Sequence, residues 1–281
     1  MKTSILFLSA IFILNIGHLN SQCNPSSDDG KSIRFENNHR TFKTYYGGIL
    51  ENAAEYPGDL TYNDGIGNPI FDLGYTKSIW IAGTDPSGNL KTSAVTFRGD
   101  VLNDFAPGPF SINPDESDAY CNYWYRTWKV EKADLSLLKD LFDANQLLDP
   151  SQVPDDILEW PAKGNPWIDN ISIDQDLAPF KDLNNDGIYN PMDGDSPIVY
   201  QDTPEFIPYV FGFRVFNDYK LHTATNNIAV DVEVHHMFYL RNCPDLDPSN
   251  HSVFHKLSIT NKGTSDIINT RIGLFEDQDL G

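Results

Sequence analysis

Short segments of alternating apolar and polar residues, separated by clusters of Gly, Pro, Asn and Asp, constrain the fold of this chain more than any other feature. In residues 228–240, for example, Val232 and Val234 belong to one row of alternate positions, and Glu233 and His235 belong to the other. A period of two places these rows on opposite faces of a strand, which predicts one core face and one solvent face. Such segments occur at residues 78–82, 90–98, 125–130, 206–216, 228–240, 253–260 and 267–275. Their spacing is typical of a β-sandwich.

Two local patterns refine this prediction. Residues 261–266 join the last two segments, and their Asn and Gly favour a turn, so these segments are predicted to pair as an antiparallel hairpin. One helix is predicted near residues 134–144, where Leu135, Leu138 and Leu141 share an apolar stripe.

The N-terminus has the order of a secretory signal peptide. Lys2 precedes an apolar run of ten residues, Ile5–Leu14, which gives way to the polar residues 15–22. A membrane-spanning helix needs about 20 apolar residues, so no membrane span is predicted. We expect cleavage after Ser21 and a mature protein that is secreted or held at the cell surface.

Charge limits the partners of the chain. The formal net charge is −20, which opposes binding to nucleic acid or to an anionic membrane, so no nucleic-acid partner is predicted. Cations are the natural partners of such a chain.

The chain has three cysteines, Cys23, Cys121 and Cys243, in what is predicted to be an oxidising compartment. Cys121 and Cys243 lie beside predicted strands, whereas Cys23 lies near the predicted mature N-terminus. We therefore predict a disulfide between Cys121 and Cys243.

Residues 182–193 match the spacing of a twelve-residue calcium loop. Oxygen ligands are expected at the first, third, fifth, seventh, ninth and twelfth positions, the seventh through its backbone carbonyl and the ninth often through water. The predicted Ca²⁺ ligands are Asp182, Asn184, Asp186, Ile188, Asn190 and Asp193. Gly187 occupies the sixth position, where the loop turns sharply. Pro191 and Pro197 prevent a long helix from following, so this is predicted to be a calcium loop without a helix-loop-helix frame. The alternative is an Asn/Asp/Gly turn without an ion.

Other site patterns are weaker. A zinc site is suggested only by the number of histidines, which are His235, His236, His251 and His255. The spacing does not support it, because a strand does not bring positions four apart onto one site as a helix does. His236 also belongs to the apolar row. Exposed aromatic rings can stack on sugars, and the candidates are Trp124, Trp160 and Trp167. Tryptophans flanked by turns more often belong to small core clusters, so we interpret these three as core residues. Three acids at the C-terminus, Glu276, Asp277 and Asp279, form either a second cation site or a polar strand end. Nucleophile-elbow and phosphate-loop motifs are absent, and no catalytic residue is predicted.

These patterns predict a mainly β fold, with β-sandwich-like units, one short helical insertion and a calcium-loop connection. The expected units are a signal peptide at 1–21, a β-rich unit at 22–160, a Pro/Asp-rich connection with the calcium loop at 161–205, and a truncated β-sandwich unit at 206–281. We expect the natural chain to continue beyond Gly281, because the last predicted strand has no closing partner segment.

Several motifs occur in one order along the chain. They are residues 78–83, 85–90, 94–98, 104–109, 124–130, 159–166 and 182–197. Together they resemble large secreted proteins that carry a type IX secretion C-terminal sorting domain, here with a dockerin-like calcium loop. The resemblance implies a surface-bound or released multidomain protein that meets the type IX machinery through a C-terminal domain absent here, and it implies no catalytic residues.

We therefore predict a secreted or cell-surface, non-catalytic calcium-binding protein for surface display, adhesion or ligand binding, with an extracellular glycan or a surface protein as partner. The alternative is part of a secreted carbohydrate-active hydrolase or a glycan-binding module.

Overall fold

The computed structural model describes residues 33–36, 40–44, 60–63, 69–74, 76–95, 104–112, 117–243 and 247–277. The predicted signal peptide lies outside these residues. Strands predominate over helices in the described part, which confirms the mainly β prediction.

The strands are β1 Ile33–Glu36, β2 Arg40–Thr44, β3 Leu60–Asn63, β4 Pro69–Gly74, β5 Thr76–Thr84, β6 Leu90–Ser93, β7 Ala106–Pro107, β8 Trp128–Glu131, β9 Phe180–Lys181, β10 Ser196–Pro197, β11 Val210–Asn217, β12 Val232–Leu240, β13 Val253–Asn261 and β14 Ile268–Asp277. The helices are α1 Asp118–Trp124, α2 Lys132–Asp143 and α3 Asp155–Leu158, with 3-10 turns at Pro150–Gln152, Pro191–Asp193 and Pro248–His251.

Two antiparallel sheets form the centre of the fold. One has the order β13-β12-β11, with both β7 and β8 paired to the far edge of β11. The other has the order β14-β5-β6. The first four strands form a separate sheet in sequence order, and β9 pairs with β10.

The interior between the five-stranded and three-stranded sheets is apolar. Ile79 and Ile81 from β5 pack in one buried cluster with Val232 and Val234 from β12 and with Phe216 from β11. These residues occupy alternate positions along their strands, as the sequence pattern predicted. The two sheets therefore pack face to face as a β-sandwich.

The second face of β12 was predicted to be solvent-exposed, and that prediction is wrong. Glu233, Met237 and Tyr239 are all less than a tenth exposed. Met237 and Tyr239 belong to a second apolar cluster, in which segments from residues 124–199 cover the outer face of the five-stranded sheet. Because β11 and β12 are covered on both sides, alternate side chains along these strands belong to two different apolar cores.

The connection predicted at 161–205 contributes directly to this second core. Ile173, Tyr189 and Val199 are buried in the same cluster as Trp160 and the strand residue Phe211. Strands from the two predicted β units also share sheets, since β8 pairs with β11 and β5 pairs with β14. The predicted boundary therefore does not separate two independently paired sheets.

The hairpin predicted around residues 261–266 is not formed. β13 pairs with β12, whereas β14 pairs with β5 in the opposite sheet. The backbone N–H groups of Lys262 and Gly263 donate to the carbonyl oxygen of Asp231, and Ile267 packs into the sandwich interior. The connection is thereby tied to β12 and crosses to the other sheet instead of turning back.

The helix predicted at 134–144 is confirmed as α2, with Leu135 and Leu138 buried. α1 was not predicted. Its N-cap is Ser117, whose side chain accepts a hydrogen bond from the Tyr120 N–H. The strand predicted from Tyr125 accordingly begins only at Trp128.

Candidate metal centre

The loop of residues 182–195 has an exposed front and a buried back. Leu183 and Ile188 at the front are both nearly half exposed, at 45% and 46%. At the back, Tyr189 is fully buried and its hydroxyl donates to the Ile157 carbonyl at 2.6 Å. The loop is therefore fixed to the core behind a polar front that faces solvent.

Asp182, the first predicted ligand, organises the tight turn of the loop. Its Oδ1 accepts the Asn185 N–H at 2.7 Å, and its Oδ2 accepts the Gly187 N–H at 2.8 Å. Asn185 and Gly187 have φ angles of 62° and 77°. Because this left-handed region suits Gly and tolerates Asn, the sequence Asn-Asp-Gly favours the turn locally.

Asn184 and Asp186, the third and fifth positions, lie side by side. The amide Nδ2 of Asn184 donates to Asp186 Oδ2 at 3.0 Å, and Asn184 Oδ1 accepts the Asp186 N–H at 3.0 Å. Asp186 Oδ1 accepts the Ile188 N–H at 2.8 Å. Each carboxylate oxygen has a second lone pair, so a main-chain bond does not prevent it from also coordinating a cation.

Asn190 and Asp193, the ninth and twelfth positions, form a second pair. Asn190 Nδ2 donates to Asp193 Oδ2 at 2.7 Å. Asn190 Oδ1 accepts both the Trp167 indole N–H at 2.8 Å and the Met192 N–H at 3.2 Å. Direct coordination through this oxygen would replace one of those bonds, which fits the usual role of the ninth position as a ligand through water.

Asp195 is a loop residue that the sequence analysis missed. It is 4% exposed, and its two oxygens accept the Leu183 N–H at 2.8 Å and the Asn190 N–H at 2.9 Å. It therefore ties the two ends of the loop together as a positioning residue. The second acid in Asp193-Gly-Asp195 was the sequence feature that could have indicated this role.

Gly194 allows this closure. Its φ is 91°, and a Cβ at this position would lie 2.6 Å from Leu183 Cδ2 and 2.8 Å from the Phe142 ring. A side chain would therefore strain both the backbone and the packing of the loop against α2.

The charge of the loop is not balanced by basic side chains. Within the described residues, no Lys, Arg or His forms an ion pair with Asp182, Asp186 or Asp193. Burial raises the pKa of Asp195, two backbone N–H bonds lower it, and the charges of Asp182 and Asp186 raise it further. The carboxylates thus repel one another, and the missing counter-charge is what a cation would supply.

The donor set is that of a hard cation, with carboxylate, amide and backbone oxygens and no nitrogen or sulfur. In the part of the chain that the structure describes, no three His, Cys, Asp or Glu side chains already converge on one point. Calcium binding here would require the carboxylates of Asp182, Asp186 and Asp193 to move together.

The histidines do not suit a metal. His236 Nε2 lies 3.0 Å from His255 Nδ1, but the Arg214 guanidinium donates to His236 Nδ1 at 3.1 Å and occupies its other nitrogen. Burial, with the charges of Lys77 and Arg214, lowers the pKa of His255 to about 3. His235 faces the other way, 2.9 Å from Glu233. His236 is thus a hydrogen-bonded core residue, as its place in the apolar row predicted.

The remaining predicted features are placed as follows. Trp124 and Trp160 are buried core residues and cannot stack on a sugar. Glu276 pairs with Lys77 at 3.2 Å, Asp277 ends β14, and Asp279 lies outside the described residues.

The disulfide predicted between Cys121 and Cys243 is wrong. Cys121 is disulfide-bonded, whereas Cys243 has a free thiol. The third cysteine of the chain, Cys23, lies outside the described residues. Position beside a strand was a poor guide, because a disulfide depends on two Cβ atoms meeting in space.

Comparison of the chain with models of known protein families, with curated proteins and with solved structures finds no match. The resemblance to type IX secreted proteins therefore stays a prediction. No helix in the described residues is long and apolar enough to cross a membrane.

Proposed function

We propose that this chain is a non-catalytic β-sandwich protein, secreted or displayed at the cell surface, in which the loop of residues 182–193 binds calcium as a structural ion. The supporting observation is a turn built by the main chain that holds Asp182, Asp186 and Asp193 without a basic partner. The N-terminal signal pattern supports export, and the resemblance supports delivery by the type IX machinery.

In this proposal the ion is held by Asp182, Asn184, Asp186 and Asp193, by the carbonyl of Ile188, and by Asn190 through water. Calcium supplies the positive charge that the loop lacks. The loop is attached to the second core through Tyr189 and Asp195, so ion binding stabilises the packing of residues 160–199 on the five-stranded sheet. A stiffened outer layer suits a protein for surface display, adhesion or ligand binding.

A cleft beside the loop favours glycan binding as the second candidate function. It has a volume of about 460 Å³, which lies within the usual range of small-ligand sites. Asp182 and Gly187 of the loop form one wall, and Phe180 with the polar Lys163 and Gln201 forms another. A glycan-binding module would retain a sugar without turnover, whereas a hydrolase would release soluble sugar.

The calcium proposal is tested by a thermal melt of the exported chain with calcium and with chelator, together with calorimetric titration of the ion. At free calcium 100 times the dissociation constant, the native state gains about 2.7 kcal/mol. For a chain of this size, the midpoint should rise by about 5 to 10 °C. Magnesium should give a much smaller shift, because it requires a tighter octahedral shell.

Two variants make the test specific. Asp186→Asn keeps the side-chain shape and an acceptor for the Ile188 N–H but removes one charge and the acceptor of the exposed Asn184 bond, so it should abolish most of the calcium shift and cost the calcium-free chain about 1 kcal/mol. Asn185→Gly is the matched control, since it alters the same turn, leaves the ligands intact and suits the φ of 62°. An unchanged midpoint in chelator, from a sample that began with free calcium, would show that the loop is only a turn.

A further inference from the structure

His222 lies in the connection between β11 and β12, where the two sheets of the sandwich meet. It is 4% exposed. Its Nδ1 is 2.8 Å from the carbonyl oxygen of Thr92 on β6, and its Nε2 is 2.8 Å from the carbonyl oxygen of Asp218, which follows β11. The ring therefore bridges the three-stranded sheet and the five-stranded sheet.

Both neighbours of the ring are hydrogen-bond acceptors. A backbone carbonyl oxygen cannot donate, so a contact of 2.8 Å is favourable only if the ring nitrogen carries a proton. Neutral imidazole has one N–H and one lone pair, and the lone pair would face an oxygen. Only the imidazolium form satisfies both contacts.

Two buried carboxylates supply the counter-charge for such a cation. Asp104 Oδ2 lies 3.6 Å from Nδ1, and Asp218 Oδ2 lies 3.9 Å from Nε2. Both aspartates are fully buried. Neither can move far, because Asp104 accepts the N–H groups of Ala94 and Ala224, and Asp218 accepts those of Val230 and Val232.

Among the described residues, few other charges face this site. Lys220 is in the same connection, and burial lowers its pKa while the charge of Asp104 opposes that change. Burial raises the pKa of Asp218. This rise is opposed by hydrogen bonds from the Ser93 hydroxyl and the Val232 N–H and by the charge of His222. On β6, Lys91 is already paired with Asp231 at 2.6 Å.

We infer that His222 is held as an imidazolium and acts as an alkaline-sensitive lock between the two sheets of the sandwich. Loss of its proton turns one bridging bond into a contact between a lone pair and a carbonyl oxygen. The two sheets then lose one bond between them, so the sandwich should be less stable when the ring is neutral. This lock is independent of the calcium loop and of the proposed function.

The direct test is a long-range ¹H–¹⁵N correlation spectrum of the histidine-labelled chain at pH 7.5, with His222 assigned by its absence in His222→Gln. We expect both ring nitrogens of His222 to show the shift of protonated nitrogen. A single unprotonated ring nitrogen at this pH would overturn the inference.

The consequence for stability is tested by thermal melts at pH 7 and pH 9. The midpoint of the natural chain should fall by at least about 3 °C more than that of His222→Gln. His235→Gln is the matched control. His235 lies on β12, is more exposed than His222 and does not bridge the two sheets, so this variant should behave as the natural chain does. Equal falls in the natural chain and His222→Gln would overturn the lock. If His222→Gln does not fold, the spectrum of the natural chain decides.

Discussion

Two groups of aspartates in this molecule show how one residue type serves opposite purposes. Asp104 and Asp218 lie in the sandwich, fully buried, beside His222. Asp182 and Asp186 lie at the exposed front of the loop, where their main-chain donors are neutral. Both groups are positioned by backbone N–H groups, but within the described residues only the first has a histidine within 4 Å of its carboxylates.

The difference indicates when a cluster of carboxylates leaves its charge open to neutralisation from outside. A buried carboxylate is tolerated when the protein itself supplies hydrogen-bond donors, as Ala94, Ala224 and Thr225 do for Asp104, and a neighbour such as His222 that can balance the charge. Such a carboxylate has no need of an external ion. The loop lacks a basic partner and remains open to water, so its charge can be neutralised from outside.

The largest expected effect comes from breaking the buried group. Asp104→Ala should destabilise the chain by about 3 to 5 kcal/mol, because it leaves the donors of Ala94, Ala224 and Thr225 unpaired and removes a counter-charge from His222. Asp186→Ala in calcium-free buffer should cost about 1 kcal/mol, since it loses two exposed bonds, from the Ile188 N–H and from Asn184 Nδ2, but relieves repulsion. Urea unfolding of both variants measures the contrast. Equal losses would mean that burial does not distinguish the two groups.

The next largest expected effect is a loss of sandwich stability at acid pH, caused by His255 and His236. The folded pKa of His255 is about 3, compared with about 6.5 in an unfolded chain, so the unfolded state binds more protons between these values and stability is lost as pH falls through this window. At pH 5 the loss from His255 should be about 2 kcal/mol. His236 should add to it, because burial and the charges of Arg214 and His255 also lower its pKa.

This prediction is checked by urea unfolding at pH 7 and pH 5 in saturating calcium. His255→Asn should reduce the difference between the two pH values, whereas His235→Asn should leave it unchanged. A natural chain that is equally stable at pH 7 and pH 5 would contradict the neutral state assigned to His236 and His255.

The smallest effect concerns the loop backbone. Asn185→Ala should be about 1 kcal/mol less stable than Asn185→Gly, because alanine resists the φ of 62° that glycine adopts freely. The difference should be the same with calcium and with chelator, since Asn185 provides no predicted ligand. Paired thermal melts test it, and a difference that disappears in chelator would show that the ion imposes this conformation.

Local patterns in the sequence were reliable where neighbours along the chain decide the outcome. The alternation in residues 228–240 correctly predicted which side chains of β12 share a face, and the apolar stripe correctly predicted α2. The left-handed turn at Asn185 and Gly187 follows from the same local chemistry. Strand periodicity and turn preference depend on a few consecutive residues, so a single sequence contains them.

Only the tertiary structure decided what covers each face and which distant groups meet. The second face of β12 is buried because residues 124–199 fold over it, and β14 joins the opposite sheet from β13. The contact of Asp104 with His222 and the tie of Asp195 across the loop likewise join groups that no local pattern relates. The sequence by itself determined the alternation along β12, the apolar stripe of α2 and the tight turn at Asn185 and Gly187. Whether an aspartate was buried beside His222 or left on the solvent-facing loop depended on long-range packing, because burial and charge partners are properties of the folded chain.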